Sequence, residues 1–159
     1  MIIRTSLIAG VLLSMLMVFT TSCKKCKLSD GENSTGLIVE DVIIYPKSGY
    51  LTENVGPTMH ITSTHVYADQ FEISFDGGAT RGPINYGQYS ILGYGMSIPC
   101  ETSINRDVTY NSTLDVYTYT LTGETCSGCN TNRTIENYVL VPTIPSGAAI
   151  IFDDQIVHK

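Results

Sequence analysis

Gln70-Phe-Glu-Ile-Ser-Phe-Asp76 alternates polar and apolar residues one by one. On an extended chain Phe71, Ile73 and Phe75 fall on one side, with Gln70, Glu72 and Ser74 on the other. That period of two belongs to a half-buried β-strand. Asp76-Gly77-Gly78 follows at once and signals a turn. The chain from Leu37 onward is built largely of such runs. LIVEDVIIY (37–45) ends at Pro46, where Pro46-Lys-Ser-Gly49 marks a turn; MHITSTHVY (59–67) comes next. QYSILGY (88–94) sets Tyr89 and Ile91 on one face. VTYN (108–111) and LDVYTYTL (114–121) are strand runs that also read as one long strand with a break. NYVLVP (137–142) and AAIIF (148–152) are separated by Pro145-Ser-Gly147, and QIV (155–157) adds a short last run.

Eight or nine short strands at this spacing, with no amphipathic helix after residue 23, predict an all-β fold over residues 37–159. The expected form is a single β-sandwich, and we favour an immunoglobulin-like one. Composition agrees. All 10 tyrosines lie beyond residue 44 and there is no tryptophan, and β-branched and aromatic residues suit a pleated surface. A hydrophobic content of 43% excludes disorder by composition, and 159 residues suffice for one ordinary domain.

The first 36 residues are of another kind. MIIRTS (1–6) carries the amino terminus and Arg4, and LIAGVLLSMLMVF (7–19) is an apolar run of 13 residues. As a helix it would rise about 20 Å against a hydrocarbon core of roughly 30 Å. It is too short to span and matches the apolar region of a secretory signal. Thr20-Thr-Ser22 then leads to Cys23.

On these residues, 1–23, the chain resembles bacterial lipoproteins, whose lipobox sets small residues before a cysteine. Thr20 stands where Leu is usual, and looser boxes of this kind are similar to those of Bacteroidota lipoproteins. The resemblance implies a signal peptide at 1–22 and diacylglyceryl attachment (the palmitate-type anchor) at the Cys23 thiol. Cleavage just before Cys23 would remove 22 of 159 residues and leave 137. It also implies a bacterial cell-envelope address, anchored in the lipid bilayer of the outer membrane. Two or more acyl chains give stable anchoring where one is marginal. The rival reading is an ordinary signal cut nearby, with Cys23 left to form a disulfide.

Residues 23–36 are expected to form a lipidated, flexible tether; KKCKLSDGENSTG (24–36) is polar and rich in turn formers. Lys24, Lys25 and Lys27 either hold the tether to anionic headgroups, at about 1 kcal/mol each at best, or are solvated. Asp30 and Glu32 are the first acidic residues, and a periplasmic and a surface-facing orientation both stay open. Setting aside Arg4 and these three lysines, five of the nine basic residues remain from Leu28 onward against all 15 acidic ones, a net charge of −10. Such a body repels nucleic acid, which needs a basic footprint.

If Cys23 is acylated, Cys26, Cys100, Cys126 and Cys129 remain. In an oxidising compartment these four are disulfide candidates with three possible pairings. Cys126-Ser-Gly-Cys129 also admits a redox or metal-binding reading. A redox pair usually opens a helix, and NTNRT (130–134) has no helical pattern; a zinc site would lack its second close-spaced pair. His60 and His65, five apart on an extended strand, would face opposite sides. No nucleophile-elbow motif is present. Neither a catalytic residue nor a cofactor is therefore assigned.

INYGQYSILGYG (84–95) is the one stretch with the makings of a recognition surface. Tyr86, Tyr89 and Tyr94 stand there among glycines, and tyrosine offers an apolar face with a polar tip to a protein or glycan partner. Strand packing in a domain without tryptophan explains the same residues. The expectation is an envelope lipoprotein acting in binding or structural support.

Overall fold

The computed structural model describes residue 28 and residues 33–47, 58–99, 101–126 and 131–159. Ten strands are described: β1 (Asn33–Gly36), β2 (Ile43–Pro46), β3 (Thr58–Ile61), β4 (Phe71–Ser74), β5 (Gly82–Pro83), β6 (Tyr89–Pro99), β7 (Thr102–Asn111), β8 (Val116–Thr125), β9 (Asn132–Pro142) and β10 (Ala149–His158). They form a four-stranded sheet in the order β1-β7-β8-β10, a middle sheet β3-β6-β9 and a small sheet β2-β4-β5. The fold is an all-β sandwich in which the middle sheet is shared between two cores.

Alternation along the middle strands explains the sharing. On β6, Leu92, Met96 and Ile98 enter one core with Val108 of β7 and with Tyr119 and Leu121 of β8, while Ile91 enters the other with Phe71 and Ile73 of β4. On β9, Val139 and Val141 go one way and Leu140 the other. Strands buried on both faces read as continuous apolar runs rather than as alternation, and the stretch VLV (139–141) is of that type. Ser90, fully buried on β6, is satisfied because its Oγ accepts from the Ile144 backbone N–H at 3.0 Å.

Several boundaries differ from the sequence reading. VTYN and LDVYTYTL are two arms of a hairpin, β7 and β8, paired antiparallel from Thr102↔Thr125 to Asn111↔Val116. The turn is closed by Asn111 Oδ1, which accepts from the backbone N–H groups of Thr113 (3.0 Å) and Leu114 (3.1 Å), and by Asp115 at φ 54°. AAIIF and QIV merge into the single strand β10, which runs parallel to β8 over its whole length. MHITSTHVY is a strand only to Ile61, then turns. Ordered structure starts before Leu37, because Asn33–Gly36 pairs in parallel with β7. LIVEDVIIY is split at Asp41, whose φ of 58° breaks the extended chain.

The half of that run before the break crosses between sheets. Leu37 N–H donates to Val108 O of β7, and Val39 N–H donates to Leu140 O of β9, each at 2.8 Å. Ile38 between them is buried in the larger core. The immunoglobulin-like arrangement expected from the sequence is not confirmed by this strand order, in which β10 lies beside β8 and not beside β9.

Candidate functional site

The three candidate tyrosines do not form one patch. Tyr86 donates its hydroxyl to the Ala68 carbonyl at 2.8 Å, and burial, then the nearby Asp69 carboxylate, push its pKa up to about 12. Tyr94 donates to Asp154 Oδ1 of β10. Its ring packs edge-on against Phe152 at 5.6 Å and Tyr119 at 6.3 Å. The Asp154 hydrogen bond first, then burial, raise the Tyr94 pKa to about 12. Tyr94 and Tyr89 are five residues apart on β6 and therefore pack on opposite cores. Both Tyr86 and Tyr94 thus tie elements of the fold together.

Tyr89 has a different neighbour. Its ring tilts against Phe75, with centroids 6.1 Å apart. Phe75 continues the stripe begun by Phe71 and Ile73, yet β4 ends at Ser74 and the ring overhangs the small sheet, 53% exposed. A cleft lies on each side of it. One, about 320 Å³, is lined by Ile73, Phe75, Asp76, Thr80, Gly82 and Pro83. The other, about 570 Å³, is lined by Asp41, Val42, Ile43, Phe75, Asp76 and Gly77. Phe75 and Asp76 are common to both.

The loop that walls these clefts is held by its own sequence. Ser74 Oγ donates to Asp76 Oδ1 and accepts from Gly78 N–H at 3.0 Å, and Asp76 Oδ1 also accepts from Thr80 N–H at 2.9 Å. These hydrogen bonds, the Ser74 hydroxyl foremost, hold the Asp76 carboxyl down at about 2. Gly78 stands at φ 96°, and a Cβ there would meet Tyr45 Oη at 2.5 Å, so the loop requires glycine. The Arg81 guanidinium stacks on the Tyr45 ring, 3.7 Å from its centroid. By alternation alone Phe75 shares the face of Phe71 and Ile73. The signal for its exposure was the Asp76-Gly77-Gly78 turn directly behind it.

Cys23, Cys26, Cys100 and Cys129 lie outside the described residues. Cys126 is buried just after β8. His65 sits in the turn after β3 and not on the strand, so simple alternation does not govern the two histidines. Burial, then repulsion from His65, lowers the His60 pKa, and burial lowers that of His65. Among the described residues no group of three or more His, Cys, Asp or Glu is arranged to hold a metal ion. No family model, curated protein or solved structure matches the chain.

Proposed function

We propose that the mature protein is a lipid-anchored component of a bacterial envelope whose β-sandwich engages a protein or glycan partner, in binding or structural support and not in catalysis. The observation that carries the binding half is the exposed Phe75 ring between two clefts. A large aromatic left in water beside concave walls is what a partner's side chains or sugar rings cover. Its walls are braced by the Ser74–Asp76–Thr80 hydrogen bonds, so little ordering is needed on binding. Photo-crosslinking from position 75 in cells, with a distant surface position as control, tests this. Absence of any Phe75-specific adduct would sink it.

The anchoring half rests on residues 1–23 and their lipobox-like end at Cys23. Metabolic labelling with an alkyne fatty acid is expected to mark the protein and to fail in Cys23→Ser; labelling that persists in that variant would refute the site. For Cys126 we favour a structural disulfide over redox or metal chemistry with Cys129. Cys126 is buried just after β8, and a buried sulfur suits a brace more than an exchanging thiol. Thiol alkylation with mass mapping of the exported protein distinguishes an inert bridge from a reducible pair.

A further inference from the structure

We infer that the partner of the Phe75 surface is an extended polypeptide segment in which lysine or arginine alternates with small aliphatic residues. The inference rests on the reading of that surface as a binding site and adds the chemistry of the occupant. The floor of the site is apolar: Ile73 and Pro83 on one side of Phe75, Val42 and Ile43 on the other, with Ile43 39% exposed. Its rim is acidic. Asp76 borders both clefts and Asp41 closes the larger one.

Among the described residues neither carboxylate stands in an ion pair. Lys47 pairs with Glu72 and Lys159 with Glu124, and the nearby Arg81 is laid on Tyr45. The Asp76 carboxylate is fixed by Ser74 and Thr80 through Oδ1, and so stays charged at any physiological pH. A site with an aromatic centre, aliphatic floor and unneutralised carboxylates is complementary to a cation on an aliphatic stem. Such a side chain lays its methylenes on Phe75 and carries its head to Asp41 or Asp76.

Spacing supports an extended segment. Side chains on one face of a strand recur at about 6.6–6.8 Å, so an extended segment can present successive same-face side chains to both sides of the Phe75 ring. A second copy of the chain is a poor occupant, because it brings the same net charge of −10 beyond Leu28. An acidic peptide would be repelled for the same reason. A neutral glycan would stack on Phe75 but would leave the paired carboxylates without a cation.

The test uses the mature lipidated protein in zwitterionic nanodiscs and three probes: a capped Lys-Val-Lys-Val-Lys peptide carrying a fluorophore, the matching Glu-Val-Glu-Val-Glu peptide, and a neutral β-1,4-linked hexasaccharide as competitor. Empty nanodiscs supply the background. The basic peptide is expected to bind, and to bind about tenfold more weakly after Phe75→Ala and about fivefold more weakly after Asp41→Asn. Asp41→Asn removes charge without strain, since asparagine tolerates the φ of 58° found there. Asp153→Asn, the same charge removed from exposed β10, is expected to leave affinity unchanged. An equal loss in Asp153→Asn, or equal binding of the acidic peptide, would overturn the inference. Phe75-dependent binding of the hexasaccharide in preference to the basic peptide would overturn it while leaving the binding-site reading intact. If no probe binds in a Phe75-dependent way, the inference is overturned; a failure of position-75 crosslinking in cells would remove the binding-site reading as well.

Discussion

The backbone N–H of Val39 donates to the carbonyl of Leu140 at 2.8 Å, two residues after Leu37 has made the equivalent bond to Val108. One short strap therefore stitches the four-stranded sheet to the middle sheet, with Ile38 buried under it. The strap enters through Gly36 at φ 116°, where a Cβ would stand 2.4 Å from Val108 O. Backbone cannot move aside as a flexible side chain can, so this position is closed to other residues.

Gly36→Ala is accordingly expected to destabilise the domain by about 2 kcal/mol or more, from the positive φ and the clash together. Ile38→Val should cost about 1 kcal/mol. Urea unfolding of the two variants checks the order. A Gly36→Ala protein as stable as the parent would show that the strap is not fixed.

The Asp76 loop makes a pH prediction. Its carboxyl is lowered from 3.8 to about 2, chiefly by the Ser74 hydroxyl. A depressed folded pKa means that the contribution is present above 3.8 and is lost as pH falls through about 2. Ser74→Ala should move the Asp76 midpoint upward, toward the ordinary carboxylate range. Carboxyl-carbon NMR titration of the two proteins reads the midpoint directly, and an unmoved midpoint in Ser74→Ala would contradict the assigned cause.

His60 predicts a second, higher window. Its pKa is lowered from 6.5 by burial and then by His65, and its Nε2 is buried without a hydrogen-bond partner. The folded state therefore prefers neutral imidazole. Stability is full above 6.5 and declines as pH falls toward the lowered folded value. Denaturant midpoints at neutral and mildly acidic pH should show that decline, and His60→Gln should flatten it. A slope unchanged in His60→Gln would place its origin elsewhere.

Tyr119 offers a test of polar satisfaction in the larger core. The side chain is fully buried, packs edge-on against Tyr94 and Phe152, and its hydroxyl has no hydrogen-bond partner. Burying an unpaired hydroxyl is unfavourable, so Tyr119→Phe is expected to be neutral or to stabilise by about 1 kcal/mol. Tyr119→Leu should be destabilising by about 2 kcal/mol, because it removes the ring and its aromatic neighbours' contacts. A Tyr119→Phe variant clearly weaker than the parent would reveal a partner for the hydroxyl.

The sequence by itself determined the class of fold. Phe71 and Ile73 were legible as core because a period of two admits only one buried face of a strand, and the Gly, Pro, Asn and Asp clusters marked most of the turns. The expectation of a lipobox-like junction at Cys23 likewise depends on local residue types alone. What the tertiary structure decided was pairing. The placement of β10 beside β8, the crossing of Leu37–Val39 between sheets and the sharing of the middle sheet by two cores all depend on contacts distant in sequence, which no local pattern carries. The same holds for the aromatic residues. Residue types and spacing singled out Tyr86, Tyr89 and Tyr94 among their glycines and left Phe75 as one more aromatic in an alternating run. Only the end of β4 at Ser74 leaves Phe75 in solvent between two clefts, while Ala68 and Asp154 take up the hydroxyls of Tyr86 and Tyr94.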